Sequence, residues 1–225
     1  MSEVIYNVDR SLVREKAKRV KIIMFDLDGT LTKAASMWQY VHEELGVWEK
    51  AKTYKEWYFQ GKIDYDEWAR LDTGLWKGIT YEAFMKIIDR IPFVDGLKET
   101  VSELKKKGYM LVVITGGLDI IKDRLYEIGF DYVVGNTLVI KDGIITGDII
   151  VKVRFDEKDG ILENFARKHG YTLSNCAAVG DGLNDIRVFK KVELAISFNP
   201  ESEEVAKNSH VVIKGDSIKP ILEVL

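Results

Sequence analysis

The sequence predicts an α/β protein: a mostly parallel sheet with helices on both faces, plus an inserted all-α module and a β-hairpin. Three observations carry this. Short β-rich apolar runs alternate with amphipathic stretches over most of the 225 residues. Residues 34–91 show helical periodicity without a strand and hold 12 of the chain's 24 aromatic residues, including all five Trp. Residues 136–153 read as strand, turn, strand.

Taken in order, residues 1–18 are a helical lead-in outside the repeating pattern, and VKIIMFDLDGT (20–30) is a buried strand running into an Asp-Gly turn. The strand-free stretch 34–91 follows. LKETVSELKKKG (97–108) has apolar residues three and four apart with Gly108 just past its end, a helix with its stop. MLVVITGG (110–117) is a second strand ending at paired glycines, and DIIKDRLYEIG (119–129) is a helix stopped by Gly129. A short strand, Asp131 to Val134, precedes NTLVIKDGIITGDIIVKV (136–153), a hairpin about a Lys-Asp-Gly turn. EKDGILENFARKHG (157–170) is a helix closed by Gly170, and CAAVGDG (176–182), Glu193–Ser197 and His210–Ile213 complete the strands. Strands alternating with helices imply βαβ units. The expected division is a core of residues 1–33 and 92–225 around a helical module of 34–91.

Composition narrows the function classes. Lys and Arg number 33 against 36 Asp and Glu, a net charge of −3, which gives no bulk reason to expect nucleic acid or anionic membrane as partner. No apolar run approaches the roughly 18 residues of a membrane span, and the N-terminal stretch lacks the apolar core of a secretory signal. A lone Cys176 excludes an internal disulfide and a multi-Cys zinc site. The expectation is a cytoplasmic protein, monomer or homodimer.

Asp26 and Asp28, in DLDGT, stand two residues apart at the end of the first strand, so on extended chain their side chains share a face. Ligands in open α/β sheets bind at the carboxyl ends of strands. With 18 Asp in the chain, chance alone supplies about one or two such pairs. A second pair, Asp64 and Asp66, reads as solvated surface. Three other places decide. Thr115 ends the next strand, with Gly116 and Gly117 read as a helix N-terminus that offers a hydroxyl and free N–H groups to a phosphate. Lys158 opens the helix at 157–168. GDGLND (180–185) ends the fourth strand with Asp181, Asn184 and Asp185. Each alone has an ordinary structural explanation, as turn, surface lysine or N-cap. Together they put carboxylates, a hydroxyl and a lysine at consecutive strand ends. Hard oxygen ligands without a His or Cys cluster suit Mg²⁺ rather than zinc or copper, and the set as a whole is one for phosphoryl transfer.

On these residues the chain resembles the haloacid dehalogenase superfamily phosphatases, and among them the phosphoserine phosphatase-like branch. DLDGT matches the first motif, Thr115 in VVITGG the second, Lys158 in EKDGIL the third and GDGLND the fourth. The resemblance implies a Rossmann-like core with a mobile cap at 34–91 and a small phosphate ester as substrate. It implies that Asp26 attacks phosphorus and that Asp28 is the general acid and base. Asp26, Asp181 and the Asp28 carbonyl would hold Mg²⁺, with Asp185 behind them orienting Lys158 or a metal-bound water. Thr115 and the Gly116 N–H would fix the phosphoryl group, Lys158 would offset its charge, and Asn184 is a further phosphoryl or substrate contact. Gly29 would permit the turn that brings Asp28 over the site.

The cap is where the chain departs from that branch. Phosphoserine enzymes carry a Glu shortly after the first motif for the substrate's ammonium group; here the position is Ala35. Their cap Arg, which meets the substrate carboxylate, corresponds to Arg70 in KIDYDEWAR. The aromatic richness of the cap reads first as its own packing and second as a substrate pocket. Two rivals stand beside hydrolysis: a phosphotransferase or phosphomutase on the same scaffold, and a non-enzymatic phospho-receiver, against which Asp28 and the cap both argue. His42, His169 and His210 fit no pattern.

Overall fold

The computed structural model describes residues 2–225. In chain order its elements are β1 (Glu3–Tyr6), α1 (Arg10–Arg19), β2 (Ile22–Phe25), α2 (Met37–Glu44), α3 (Trp48–Phe59), α4 (Tyr65–Gly74) and α5 (Tyr81–Ile88). There follow α6 (Leu97–Lys106), β3 (Met110–Leu118), α7 (Lys122–Ile128), β4 (Tyr132–Lys141), β5 (Ile144–Ile150) and α8 (Lys158–Lys168). The chain closes with β6 (Cys176–Gly180), α9 (Ile186–Phe189), β7 (Leu194–Phe198), α10 (Glu203–Lys207) and β8 (Val211–Lys214). The eight strands form one sheet in the order β1-β8-β7-β6-β2-β3-β4-β5, parallel except for the outer pairs β1–β8 and β4–β5.

Alternation along the central strands makes two cores. Ile23, Phe25, Leu111, Val113, Ala177 and Val179 face one way, onto Val13 of α1 and Leu97, Val101 and Leu104 of α6. Ile22, Met24, Val112, Ile114, Cys176 and Ala178 face the other, onto Leu162 and Ala166 of α8 and Phe189 of α9. A parallel sheet covered on both faces has no solvent-facing row, which is why these strands read as continuous apolar runs.

Three expectations change. The N-terminal segment is not helix alone: Glu3–Tyr6 pairs antiparallel with β8 before α1 begins. Its apolar run, Val4 to Tyr6, is too short for a strand to be distinguished from a frayed helix start. The short strand at 131–134 and the first arm of the hairpin are one strand, β4, whose turn into β5 uses Asp142 and Gly143 at φ 52° and 74°. Two successive positive φ values are what a two-residue hairpin turn requires.

The third change concerns the aromatic insert, which does not build a core for itself. Met37, Val41, Trp76, Phe84 and Ile88 belong to the same apolar cluster as α6 and β3. Trp76 is fully buried there, and its removal to Ala would cost about 3–5 kcal/mol. The chain leaves for the insert and returns from it side by side, with Lys33 N donating to Pro92 O and Val94 N to Leu31 O, both at 2.9 Å. The hairpin props the insert: Gly78 N donates to Ile145 O and Ile145 N to Ile79 O, both at 2.9 Å, while the Thr73 hydroxyl donates to Gly147 O at 2.8 Å.

Candidate active site

Asp26 is the first residue beyond β2, and its backbone N–H donates to Val179 O of β6 at 2.8 Å, so the carboxylate starts from a fixed point between two strands. Lys158 enters from the first turn of α8. Its side chain is 1% exposed, with Nζ 2.8 Å from Asp26 Oδ1 and 2.7 Å from Asp185 Oδ1. A buried lysine is tolerable only with such partners. Burial works against its charge, but Asp185 and Asp26 outweigh that and hold its pKa above the ordinary lysine value.

Asp185 is fully buried. Its second oxygen, Oδ2, accepts from the backbone N–H groups of Asp181 and Gly182, both at 3.1 Å. Asp181 Oδ1 accepts from the Thr30 hydroxyl at 2.6 Å. One carboxylate oxygen from each of Asp26, Asp181 and Asp185 lies within 4.8 Å of the others. Burial, together with Asp185 and Asp28, raises Asp26 to about 7 despite Lys158. Burial and then Asp26 raise Asp181 to about 8. Crowded carboxylates that resist ionisation are a site short of positive charge, and an all-oxygen set of this size fits Mg²⁺. Asp185 already spends both oxygens on Lys158 and two N–H groups, so Asp26 and Asp181 are the freer ligands.

Asp28, half-buried, is raised to about 6 by burial, with the Met37 N–H and Lys158 pulling the other way. Its Oδ1 has no hydrogen-bond partner among the described residues. Gly29 adopts φ 75°, and a Cβ there would run into the Asp181 carboxylate, so both turn and close approach require glycine.

Thr115 is 1% exposed, and its Oγ1 accepts from Gly117 N at 2.8 Å. Gly116 and Gly117 are not at a helix N-terminus: β3 continues to Leu118, a 3₁₀ turn follows at Asp119–Ile121, and α7 starts only at Lys122. The pairing of β3 with β4 shifts register between Ile114 and Leu118, and this irregular stretch of strand turns the Thr-Gly-Gly segment towards the carboxylates. What the segment can offer an anion is therefore the Thr115 hydroxyl and local N–H groups, without a helix dipole.

Several residues that the sequence reading passed over fix this segment. Gly116 O accepts from Asn136 Nδ2 at 2.9 Å, Tyr65 OH at 3.1 Å and Trp38 Nε1 at 3.2 Å. Asn136, fully buried, also donates to Val153 O and accepts from the N–H groups of Lys152 and Val153. An Asn inside an apolar strand was the available signal. Asp64 and Asp66 are more than surface: Asp64 caps α4 through Glu67 N, and Asp66 takes a two-pronged contact from Arg154 at 2.8 and 2.9 Å.

Asp26, Asp28, Thr115, Gly116, Asp181 and Asn184 all line one cavity of about 340 Å³, with Lys158 and Asp185 packed beneath it. Arg70 is not brought there. It is exposed, its Nε donates to Asp66 O at 3.2 Å, and the insert's lysine on the cavity wall is Lys55. The expected substrate contact from Arg70 is thus corrected: one turn of α4 carries it to the outer face, while Ala69 and Asp72 face inward.

This fold and site belong to a known class. Residues 23–190 match the model of the haloacid dehalogenase-like hydrolase family, and the chain belongs to that family. It stands in the phosphatase branch. A phosphoserine phosphatase of Methanocaldococcus jannaschii is 38% identical over 183 residues, spanning 80% of this chain and 86% of that one. One from Archaeoglobus fulgidus is 37% identical over 190 residues, 84% of this chain and 54% of the relative. Among solved structures, a phospho-aspartyl intermediate analogue of phosphoserine phosphatase superposes with a TM-score of 0.79 at 34% identity, covering 92% of this chain and 99% of that one.

Proposed function

We propose that the protein is a Mg²⁺-dependent phosphatase that hydrolyses a small phosphorylated metabolite through an aspartyl-phosphate on Asp26. The observation that carries this is Lys158, buried between Asp26 and Asp185 beneath a cavity that Asp26, Asp28 and Thr115 line. That set holds a nucleophile, a fixed cation, a hydroxyl and a second carboxyl around one phosphoryl-sized space.

Asp26 attacks phosphorus, and the bond from phosphorus to the ester oxygen breaks. Asp28, at about 6, carries enough of its proton near neutrality to pass it to that leaving oxygen. A water molecule then attacks the phosphorus of the acyl phosphate, Asp28 takes a proton from that water, and the bond to Asp26 breaks with its electron pair returning to the carboxylate. Thr115 and the Gly116 N–H orient the phosphoryl oxygens, and Lys158 offsets negative charge in both steps. Asp185 keeps Lys158 in place. Asp26, Asp181 and the Asp28 carbonyl would hold Mg²⁺, which when bound supplies Lewis-acid neutralisation of the phosphoryl oxygens. Residues 34–91 act as a lid that excludes water from the acyl phosphate, over a core of 1–33 and 92–225.

Among the described residues no helix is long and apolar enough to cross a membrane, and the one cysteine, Cys176, is buried and free. The test is phosphate release from acetyl phosphate, a minimal substrate, with and without Mg²⁺. The expected result is metal-dependent release that Asp26→Asn abolishes. Equal release by a folded Asp26→Asn variant would overturn the reading.

A further inference from the structure

The Gly116 carbonyl and the Gly117 N–H belong to one planar trans peptide, and both sides of it are held. The carbonyl oxygen accepts from Asn136 Nδ2 at 2.9 Å, Tyr65 OH at 3.1 Å and Trp38 Nε1 at 3.2 Å. On the opposite side, the N–H donates to Thr115 Oγ1 at 2.8 Å. Strand pairing does not fix this peptide. β3 pairs with β2 only as far as Val113, and its ladder with β4 is broken between Ile114 and Leu118. The plane of the peptide is set by side chains.

That plane bears on the chemistry. A threonine hydroxyl has one proton and two acceptor lone pairs. With the Gly117 N–H on its oxygen, Thr115 turns its own proton away from that backbone and towards the cavity it lines. The peptide also has little room to rotate, since a Cβ on Gly117 would lie 2.9 Å from Asp28 Oδ2 and 3.0 Å from Thr115 Oγ1. A change of plane would release the Thr115 hydroxyl beside the Asp28 carboxyl.

Two of the three donors on the Gly116 oxygen come from the insert, Trp38 from α2 and Tyr65 from α4. Tyr65 is the first residue of its helix, and its neighbours anchor it. Asp64 caps the helix through Glu67 N at 2.8 Å, and Asp66 holds Arg154 of the core. Asn136 Nδ2 donates to the Tyr65 oxygen at 3.2 Å, which leaves the phenol proton for Gly116. Burial raises that phenol above its ordinary value, so it remains a donor at working pH.

We propose that Tyr65, assisted by Trp38, is a positioning residue for phosphoryl transfer: from the insert it holds the Gly116–Gly117 peptide so that the Thr115 proton points at the phosphoryl group. The phosphate site is then complete only with the insert in place. This rests on the phosphatase reading, and the experiment separates the two. Values of kcat/KM for acetyl phosphate, whose small leaving group isolates the phosphoryl end, are measured with Mg²⁺ for single and double variants. Tyr65→Phe keeps the ring and should lower kcat/KM about five-fold, the worth of one neutral hydrogen bond, with an unchanged circular dichroism spectrum. In a Thr115→Ser background, which keeps the hydroxyl, the same five-fold loss is expected. In a Thr115→Val background, Tyr65→Phe should cost less than about two-fold further, because the group it orients is gone. An active protein in which Tyr65→Phe has no effect would overturn this inference alone. So would an undiminished loss in the Thr115→Val background, which would mean that Tyr65 only secures the insert. Failure of the unaltered protein to hydrolyse acetyl phosphate would overturn the phosphatase reading and this inference with it.

Discussion

At one end of the cavity, beyond the ends of β2 and β6, Lys158 stands 2.8 Å from Asp26 and 2.7 Å from Asp185, and Thr30 donates to Asp181 at 2.6 Å. At the other end, rings from α2, α3 and α4, with Phe155, meet beside a loosely paired His42 and Asp72. The first end is charged, buried and built on the sheet; the second is apolar, partly open and built on an insert held by a hairpin and by its own paired entry and exit segments. The two ends carry different properties of the enzyme. Reaction type depends on a cluster that tolerates almost no displacement, whereas substrate choice depends on side chains that can be exchanged without touching the sheet.

The comparison is most easily broken at Asp26. Asp26→Asn keeps the shape and one partner for Lys158, and it should lower turnover by at least about 10⁴-fold with the fold intact, read by phosphate release and circular dichroism. Lys158→Met should be the most damaging substitution for stability. Removing one partner of a buried ion pair costs about 3–5 kcal/mol, and denaturant unfolding of the metal-free protein measures it. A loss below about 1 kcal/mol would mean that the cluster is more solvated than its burial indicates.

Much of the charged end was legible in the sequence because strand ends carry short, ordered motifs. Asp26, Asp28, Thr115, Lys158, Asp181 and Asp185 could each be picked out by residue type and position. What the sequence left out there is side-chain hydrogen bonding across long separations: Asn136 holding Gly116, and Thr30 holding Asp181. The register shift in β3 was also hidden, since paired glycines after a strand suit a helix start equally well. The insert was legible as helices but not as a cavity wall. Helical periodicity marks the buried side of a helix without saying whether core or cavity lies against it. Hence Arg70, assigned inward by motif, points outward, and His42, which fitted no motif, is buried in the wall.

Titration sharpens the contrast further. Asp26 and Asp181 are raised to about 7 and about 8 from an ordinary value of 3.8. The folded metal-free protein therefore holds protons that the unfolded chain has lost, and its stability falls as pH rises through about 4 to 8. Mg²⁺ competes with those protons. The melting temperature should rise on adding Mg²⁺ by more at about pH 8 than at about pH 6, with a free-energy gain of about 2.7 kcal/mol at a hundred times the Kd. An equal shift at both pH values would detach the metal from these carboxylates.

The smallest effect belongs to the link between the two ends. Arg154 joins the segment before α8 to Asp66 of α4, but both side chains are about two-fifths exposed. Arg154→Ala should cost less than about 1 kcal/mol of stability, measured by thermal unfolding.

The proposed reaction requires that Asp26 become phosphorylated. Its most direct test is to quench a Mg²⁺-dependent reaction with acetyl phosphate and add borohydride, which reduces an acyl phosphate to the alcohol. Peptide mass spectrometry then locates the change. The account predicts homoserine at position 26, dependent on both metal and substrate, and absent from Asp26→Asn. Phosphate release with an unmodified Asp26, or with the reduction at another carboxylate, would contradict it.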